Sequence, residues 1–188
     1  MAFATFGDLE DRLRVTFTAE EQAQATALLD LATELIKAEA DQTIDQVTND
    51  SITVDGTGTG RLVLPEWPVT SVASVTADGT LLTFADDYKW TLRGVLLRVG
   101  AVWVYDIGNV AVVYTHGYSV TPPALTSVCV EMAARAWSTP ASGAVTQESI
   151  GSYSVSYDTA GEAVRGLELK ESERRVVADF GRVRVLVG

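Results

Sequence analysis

The sequence has very few of the side chains that perform enzyme chemistry. It contains one cysteine, Cys129, and one histidine, His116, in 188 residues. A single cysteine excludes an internal disulfide bond and a cysteine-based zinc site. A single histidine leaves histidine metal sites and a Ser-His-Asp triad with one candidate member, and no companion motif surrounds it. We therefore predict a protein that is not an enzyme and has no cofactor, with His116 in a turn or on the surface.

Basic residues are also scarce. The chain has 14 lysines and arginines against 25 aspartates and glutamates, a net charge of −11, and its first 50 residues hold 11 acids and 3 bases. Tight binding of nucleic acid needs clustered cations, so we expect no sequence-specific or high-affinity binding of DNA. An acidic surface would suit a passage through which DNA slides, and it would equally suit an ordinary solvated helix.

Long apolar runs and a leader are missing as well. No run in the sequence approaches the roughly 18 apolar residues that a membrane helix requires. The N-terminus lacks the basic start and apolar core of a signal peptide. These features predict a protein made in the cytoplasm and without a membrane partner.

The residues that are present predict helices at both ends of the chain. Hydrophobic residues make up 47%, enough for one domain, alone or with an inserted lobe. Thr5 is placed to cap a helix over residues 6–15, and Thr18 with Glu21 forms a capping-box pattern before a helix that reaches about Ala40. Later helices are predicted to begin at Pro122-Pro123 and end before Pro140, and to cover residues 167–180. One apolar stripe of the second helix is predicted to be core or a helix contact: Ala25, Leu28, Leu29, Ala32, Leu35 and Ile36.

Residues 51–115 predict short strands. The glycine-rich stretch from Asp55 to Gly60 reads as a turn, and it lacks the Gly-Lys-Ser/Thr ending and the following helix of a phosphate-binding loop. Asp78-Gly79 predicts a hairpin after a strand over residues 69–76, whose alternate residues should face opposite ways. Further strands are predicted over residues 62–64, 88–92, 95–99, 102–105 and 109–115.

Two features of the sequence have alternative explanations. Trp67, Trp90 and Trp103 could form a carbohydrate-binding surface, but alternating aromatics in short strands more often pack across a sheet. The solvent exposure of the three tryptophans distinguishes the two explanations. The C-terminal tail from Arg182 alternates basic and apolar residues, so it could add to the sheet edge of another chain or dock on its own lobe.

Several of these motifs, in this order, resemble those of tailed-phage head-to-tail connector proteins, also called adaptor or head-completion proteins. The resemblance begins in the acidic N-terminal helices and in the strands around Pro65-Glu-Trp-Pro68. It continues where Val110–Thr115 leads into the Pro-initiated helix. It also covers the alternating segment Gln147–Tyr157, which predicts a strand over residues 149–157, and the final Leu-x-x-Ser-Glu-Arg-Arg helix.

The patterns and the resemblance together predict an α+β fold, with a bundle of about four helices, an inserted small antiparallel β lobe and a long loop or hairpin. The expected divisions are residues 1–50, 51–120 and 121–188. The resemblance implies a virion structural protein of the neck: a ring, typically of twelve copies, that binds the portal after genome packaging. It would extend the DNA channel and meet a downstream stopper or tail protein. A stopper, a tail terminator or a carbohydrate-binding module are the alternatives.

The resemblance also implies two sets of contact residues. The C-terminal segment is expected to bind the portal through Arg182, Val183, Arg184, Val185, Leu186 and Val187. The alternating segment is expected to face the DNA channel or a neighbouring subunit through Gln147, Glu148, Ser152, Tyr153, Ser154 and Tyr157.

Overall fold

A computed structural model describes residues 2–138, 147–150, 153–156 and 167–182, with backbone alone for 147–150 and 153–156. The chain divides into two compact units. The helical unit comprises the described parts of Met1–Glu39 and Pro122–Asp179, and the β unit those of Ala40–Thr121 and Phe180–Gly188. The described residues form four helices and two larger antiparallel sheets, which confirms the predicted α+β class. None of the described helices is long and apolar enough to cross a membrane.

The helical unit contains four helices and a hairpin. Thr5 caps the first helix as predicted, because its hydroxyl accepts from the Asp8 amide and the Asp8 carboxylate accepts from the Thr5 amide. Thr18 and Glu21 make the corresponding bonds before the second helix. The elements are α1 (Phe6–Leu13), α2 (Ala19–Ala40), α3 (Pro123–Ser138), α4 (Glu171–Ala178), β8 (Gln147–Ile150) and β9 (Tyr153–Ser156).

The core of the helical unit lies between α2 and α3. The buried side chains of α2 are spaced as one helical face, and α3 meets them with a mixture of large and small side chains. Thr33 lies in this core and donates to the Leu29 carbonyl at 2.8 Å, so its hydroxyl is satisfied. The buried residues include Leu9, Ala25, Leu29, Ala32, Ile36, Leu125, Cys129, Met132 and Ala133.

The last helix is shorter than predicted, since it begins at Glu171 and not near residue 167. The Lys170 backbone amide donates to the Glu173 carboxylate at 2.8 Å, which marks the start of the helix. The same carboxylate accepts two bonds from the Arg135 guanidinium, at 2.6 and 3.0 Å. This bidentate pair joins α4 to α3.

The β unit contains two antiparallel sheets around one apolar core. The four-stranded sheet has the order β1-β7-β3-β4, and the three-stranded sheet has the order β2-β6-β5. The core draws on both sheets, with Leu62 and Leu96 from one, Val75 and Val112 from the other, and Trp103 from the connection between β6 and β7. The strands are β1 (Val47–Gly56), β2 (Arg61–Val63), β3 (Val69–Ala77), β4 (Thr80–Leu81), β5 (Tyr88–Trp90), β6 (Val95–Arg98) and β7 (Asp106–His116).

The predicted hairpin at Asp78-Gly79 is confirmed, with both residues at positive φ, 51° and 75°. The predicted alternation along β3 is wrong. Register shifts between Val69 and Ser71 and between Val72 and Ser74 interrupt the pleat. Bulges of this kind reset which face a side chain occupies, and so Val69, Val72 and Val75 all contribute to the core.

Two other strand predictions need correction. Residues 102–105 are irregular, because the Trp103 backbone bonds to the Gly58 amide (2.7 Å) and the Thr59 carbonyl (2.8 Å) and not to a neighbouring strand. The alternating segment predicted as one strand over residues 149–157 is an antiparallel hairpin. Ile150 of β8 pairs with Tyr153 of β9, and Gln147 with Ser156, so the two strands run antiparallel.

Candidate interaction surfaces

Neither a metal-binding cluster nor an exposed thiol is found among the described residues. No three His, Cys, Asp or Glu residues among them are grouped to hold a metal ion. Cys129 is buried, and its thiol lies 3.6 Å from the Thr33 hydroxyl. Burial raises the pKa of the Cys129 thiol, so the thiolate that a nucleophile requires is disfavoured.

His116 is buried, which corrects the prediction of a turn or surface residue. It is only 2% exposed, its Nε2 lies 3.2 Å from the Asp50 carboxylate, and its ring stacks on Tyr114. The signal was in the sequence, since Val110, Val112, Tyr114 and His116 alternate along β7 and all face the core. Its contact with Asp50 explains His116 as a residue with a structural role in the β unit.

The tryptophans do not form an exposed platform. Trp67 and Trp103 are buried, and Trp90 is partly buried against the core of the β unit. The Trp67 indole donates to the Gly181 carbonyl at 2.9 Å, and the Arg93 guanidinium lies over its ring. A carbohydrate surface built on these side chains is therefore excluded.

The start of the C-terminal tail is fixed on the β unit. The Arg182 amide donates to the Ala40 carbonyl at 3.0 Å, and its guanidinium donates to Glu66 Oε1 at 3.1 Å. With the Trp67–Gly181 bond, these contacts hold residues 180–182 in place. Arg182, predicted to bind the portal, is thus engaged by its own chain, while predicted residues 183–187 lie outside the described part.

The second predicted set lies partly on the β8–β9 hairpin. Gln147 and Glu148 belong to β8 and pair with Ser156 and Val155 of β9. Tyr153 and Ser154 belong to β9, so the hairpin brings these four predicted residues together in the backbone. Ser152 and Tyr157 lie outside the described residues.

Helix α2 carries a second apolar row besides its buried face. This row, which we call the α2 stripe, has residues spaced by three, four and three positions, as in helices that pack along a seam. Leu31 is 52% exposed, and Leu35, predicted to belong to the core or to a helix contact, is 39% exposed. The α2 stripe consists of Leu28, Leu31, Leu35 and Ala38.

The three-stranded sheet has an outer face that mixes cations with apolar residues. Arg61, Leu97 and Lys89 lie side by side across β2, β6 and β5, since each pairs with the next in register. Val63 and Val95 share this face because the neighbouring positions, Leu62 and Leu96, point into the core. We call Arg61, Val63, Lys89, Val95 and Leu97 the basic sheet face. Both cations are exposed, and neither forms an ion pair with a described residue.

A third exposed apolar surface is formed by the connection between β6 and β7 together with the first residues of β7. Tyr105 is 83% exposed and Ile107 86%. The connection is held by the Asn109 amide, which donates to the Val104 carbonyl at 3.0 Å, and by the Trp103 bonds to the turn before β2. Asp55 and Asp106 lie beside it and make it acidic.

Comparisons with known proteins add a likeness of fold. No protein-family model matches the sequence, and no curated protein matches it. The chain is similar to a protein in the neck of a native gene transfer agent (GTA) particle, computed with C12 symmetry. That pair is 16% identical, with a TM-score of 0.53 over 97% of this chain and 90% of the other.

Two further solved structures agree. One is a protein in the neck of an empty GTA particle computed with C6 symmetry, 19% identical with a TM-score of 0.53 over 97% of this chain and 91% of the other. The other is from the virion of a native GTA particle, 17% identical with a TM-score of 0.52 over 97% and 91%. The chain therefore has the fold found in these phage-like particles, which confirms, at the level of fold, the resemblance to head-to-tail connector proteins.

Proposed function

We propose that this protein is a structural component of the neck of a tailed phage or phage-like particle. Copies of it form a ring between the portal of the capsid and the tail. The ring lengthens the channel through which DNA leaves the head, and it presents a surface to a downstream stopper or tail protein. It acts by contact and assembly, without catalysis or a cofactor.

The observation that carries this proposal is the likeness of fold to neck proteins over 97% of the chain. Those neck structures were computed with C12 and C6 symmetry, which supports a ring as the working state of this chain also. The exposed α2 stripe and basic sheet face support the same conclusion. Apolar rows left in water favour a protein whose partners cover them.

The charge of the protein suits a channel for DNA. With a net charge of −11, the ring would repel phosphates and let the duplex slide. The residues that we propose for the channel or for a neighbouring subunit are those of the β8–β9 hairpin, Gln147, Glu148, Tyr153 and Ser154, with Ser152 and Tyr157 next to them in the chain.

We propose that the C-terminal tail binds the portal from a fixed starting point. The bonds of Arg182 to Ala40 and Glu66 anchor residues 180–182, so the six residues that follow begin from a defined place. A fixed start lowers the entropy lost when a short segment binds. Arg182 thus has a positioning role, and residues 183–187 make the contact.

Particle assembly tests the proposed function directly. Particles made without this chain should contain packaged heads that lack tails, and added purified protein should restore joining. An image of the neck with and without a small fused domain on the chain should show extra density between portal and tail. Density further along the tail would instead favour a stopper or a tail terminator, and normal particles without the chain would contradict the proposal.

Removal of Val183–Gly188 tests the role of the tail. We expect the shortened chain to fold with unchanged unfolding free energy, and to lose binding to purified portal rings in a sedimentation assay. Glu66→Gln, which weakens the anchor of Arg182 and leaves the tail intact, should reduce portal binding less. Normal binding by the shortened chain would show that another surface meets the portal.

A further inference from the structure

We propose that the α2 stripe of one copy packs on the basic sheet face of the next copy, and that this contact joins the subunits of the ring. The inference rests on the proposed function and adds which surfaces meet. A closed ring of identical subunits needs a heterologous interface, in which two different patches of the same chain face each other. The two patches must therefore be complementary in shape and in charge.

The α2 stripe has the spacing of a helix seam, and the described residues of its own unit leave much of it exposed. The core of the helical unit is filled from the opposite side of α2 by Ala25, Leu29 and Ile36, which are fully buried. Leu31 and Leu35 remain exposed, and the C-terminal end of the stripe opens into a groove of about 330 Å³ lined also by two leucines that precede α4. A row at this spacing, extending over about three helical turns, fits a flat apolar surface.

Acidic side chains accompany the α2 stripe. Asp30 and Glu34 lie one turn apart on its flank, Glu20 lies in line with the stripe about two turns before Leu28, and all three acids are exposed. Glu34 pairs with Lys37 at 3.5 Å, whereas Glu20 and Asp30 have no ion pair among the described residues. Two α2 helices placed together would bring these like charges side by side, which disfavours a symmetric pairing.

The basic sheet face has the matching arrangement. Its apolar residues, Val63, Val95 and Leu97, are half-buried. Leu97 lies between the two exposed cations, and Val63 and Val95 form the next row along the strands. Arg61 and Lys89 are on the outer strands, two strand spacings or about 10 Å apart. If α2 of the next copy lay across this sheet, it would bury Leu97 and bring the acidic residues of α2 close to Arg61 and Lys89.

The exposed surface around Tyr105 and Ile107 is a poorer counterpart. The β6–β7 connection offers Tyr105 and the start of β7 offers Ile107, but Asp55 and Asp106 beside them would oppose the acids of α2. Charge therefore selects the basic sheet face among the described surfaces, since like charges across an interface suppress association.

Oxidative cross-linking of mixed populations tests the contact. One population carries Leu31→Cys and the other Leu97→Cys, in a chain whose native Cys129 is buried. We expect a disulfide-linked dimer in the mixture, and none in either population alone. Leu81→Cys, at a residue that is 69% exposed on the other sheet, is the matched control and should not cross-link with Leu31→Cys.

Charge reversal gives a second readout. Arg61→Glu with Lys89→Glu should weaken self-association roughly tenfold or more in sedimentation. Adding Glu20→Lys and Asp30→Lys in the same chain should restore it, which a fold defect would not allow. Circular dichroism and denaturation check that each variant is folded.

The remaining outcomes each decide the question. A cross-link in the Leu31→Cys population alone would overturn the inference in favour of α2 pairing with α2. A mixture that forms no Leu31→Cys/Leu97→Cys dimer at any concentration would also overturn the inference. In that case, the proposed function would still stand if the unmodified chain joined tails to heads in the particle assay. If neither the cross-linked dimer nor the joining of heads to tails were observed, both the further inference and the proposed function would be contradicted.

Discussion

The helical unit and the β unit are held together by different means. The helical unit adds to its apolar core charged side chains at its helix ends and between its helices, as in the capping box of Thr5 and the pair of Arg135 with Glu173. The β unit depends on a core of large side chains and on close approach of its backbone segments, for example Gly117 against Asp45. The two units should therefore fail under different substitutions.

The largest effect is expected in the β unit, from Gly117→Ala. Gly117 has a φ of +81°, and an added Cβ would overlap the Asp45 carbonyl, so both strain and a backbone clash oppose alanine. We expect a loss of about 3 kcal/mol or more in unfolding free energy, measured by denaturant titration.

Gly79→Ala is the control for that substitution. Gly79 has a similar φ of +75°, but nothing lies within 4 Å of an added Cβ, so only the backbone strain applies. Its cost should be about 1–2 kcal/mol. Equal losses of unfolding free energy at Gly117 and Gly79 would mean that the close approach of backbone segments is not a distinguishing feature of the β unit.

Glu173→Gln is expected to give the largest effect in the helical unit. The Glu173 side chain is only 12% exposed and accepts from Arg135 and from the Lys170 amide. The glutamine removes the negative charge and leaves the Arg135 guanidinium, itself 22% exposed, without its ion pair to this residue. A loss of roughly 2 kcal/mol should follow in denaturant titration. A loss as small as that of an exposed pair would contradict the role given to charge here.

Much of this division could be predicted from local sequence patterns. Thr5 and Thr18 mark helix starts, and Asp78-Gly79 marks a turn, because each acts through bonds to its nearest neighbours. The bulges in β3 could not be predicted, because they depend on register with β7 across the sheet. Residues 102–105 have strand-like composition, but the tertiary bonds of Trp103 determine their path.

The candidate surfaces were harder to predict than the fold. Leu28 and Leu35 fit the helical periodicity of the buried stripe, and the sequence does not say where one face ends and the next begins. The basic sheet face depends on three strands meeting in register, which places Arg61 beside Leu97 although 36 positions separate them in the chain. Arg182 looked like a partner residue because its anchor, Glu66, is distant in sequence.

Thr5→Ala is expected to have an intermediate effect, confined to the helical unit. Loss of the N-cap hydroxyl should cost about 1 kcal/mol at neutral pH. The bonds from Thr5 lower the pKa of the Asp8 carboxyl below its ordinary value of 3.8. A carboxyl whose pKa falls on folding contributes stability above 3.8, and that stability is lost as the pH falls through the lower, folded pKa.

The difference in unfolding free energy between Thr5→Ala and the unmodified protein should therefore become smaller as the pH falls below 3.8. Denaturant titrations at several acid pH values measure it. The Gly79→Ala variant of the β unit, which involves no carboxyl bond, is the control and should show a constant difference. A loss for Thr5→Ala that does not change with pH would mean that the Thr5 hydroxyl acts as the acceptor for the Asp8 amide and not as a donor to the Asp8 carboxylate.

The smallest effect is expected from Arg175→Ala, also in the helical unit. Arg175 pairs with Glu171 one helical turn away at 3.4 Å, and the two side chains are 78% and 73% exposed. An exposed pair of this kind contributes about 0.3 kcal/mol, and salt screens it. The loss in denaturant titration should be near the limit of measurement and should vanish in high salt, whereas the loss for Glu173→Gln should persist. If Arg175→Ala lowered the unfolding free energy as much as Glu173→Gln, burial would not be the reason that an ion pair stabilises this unit. The contrast with the β unit would then rest only on the number of charged residues.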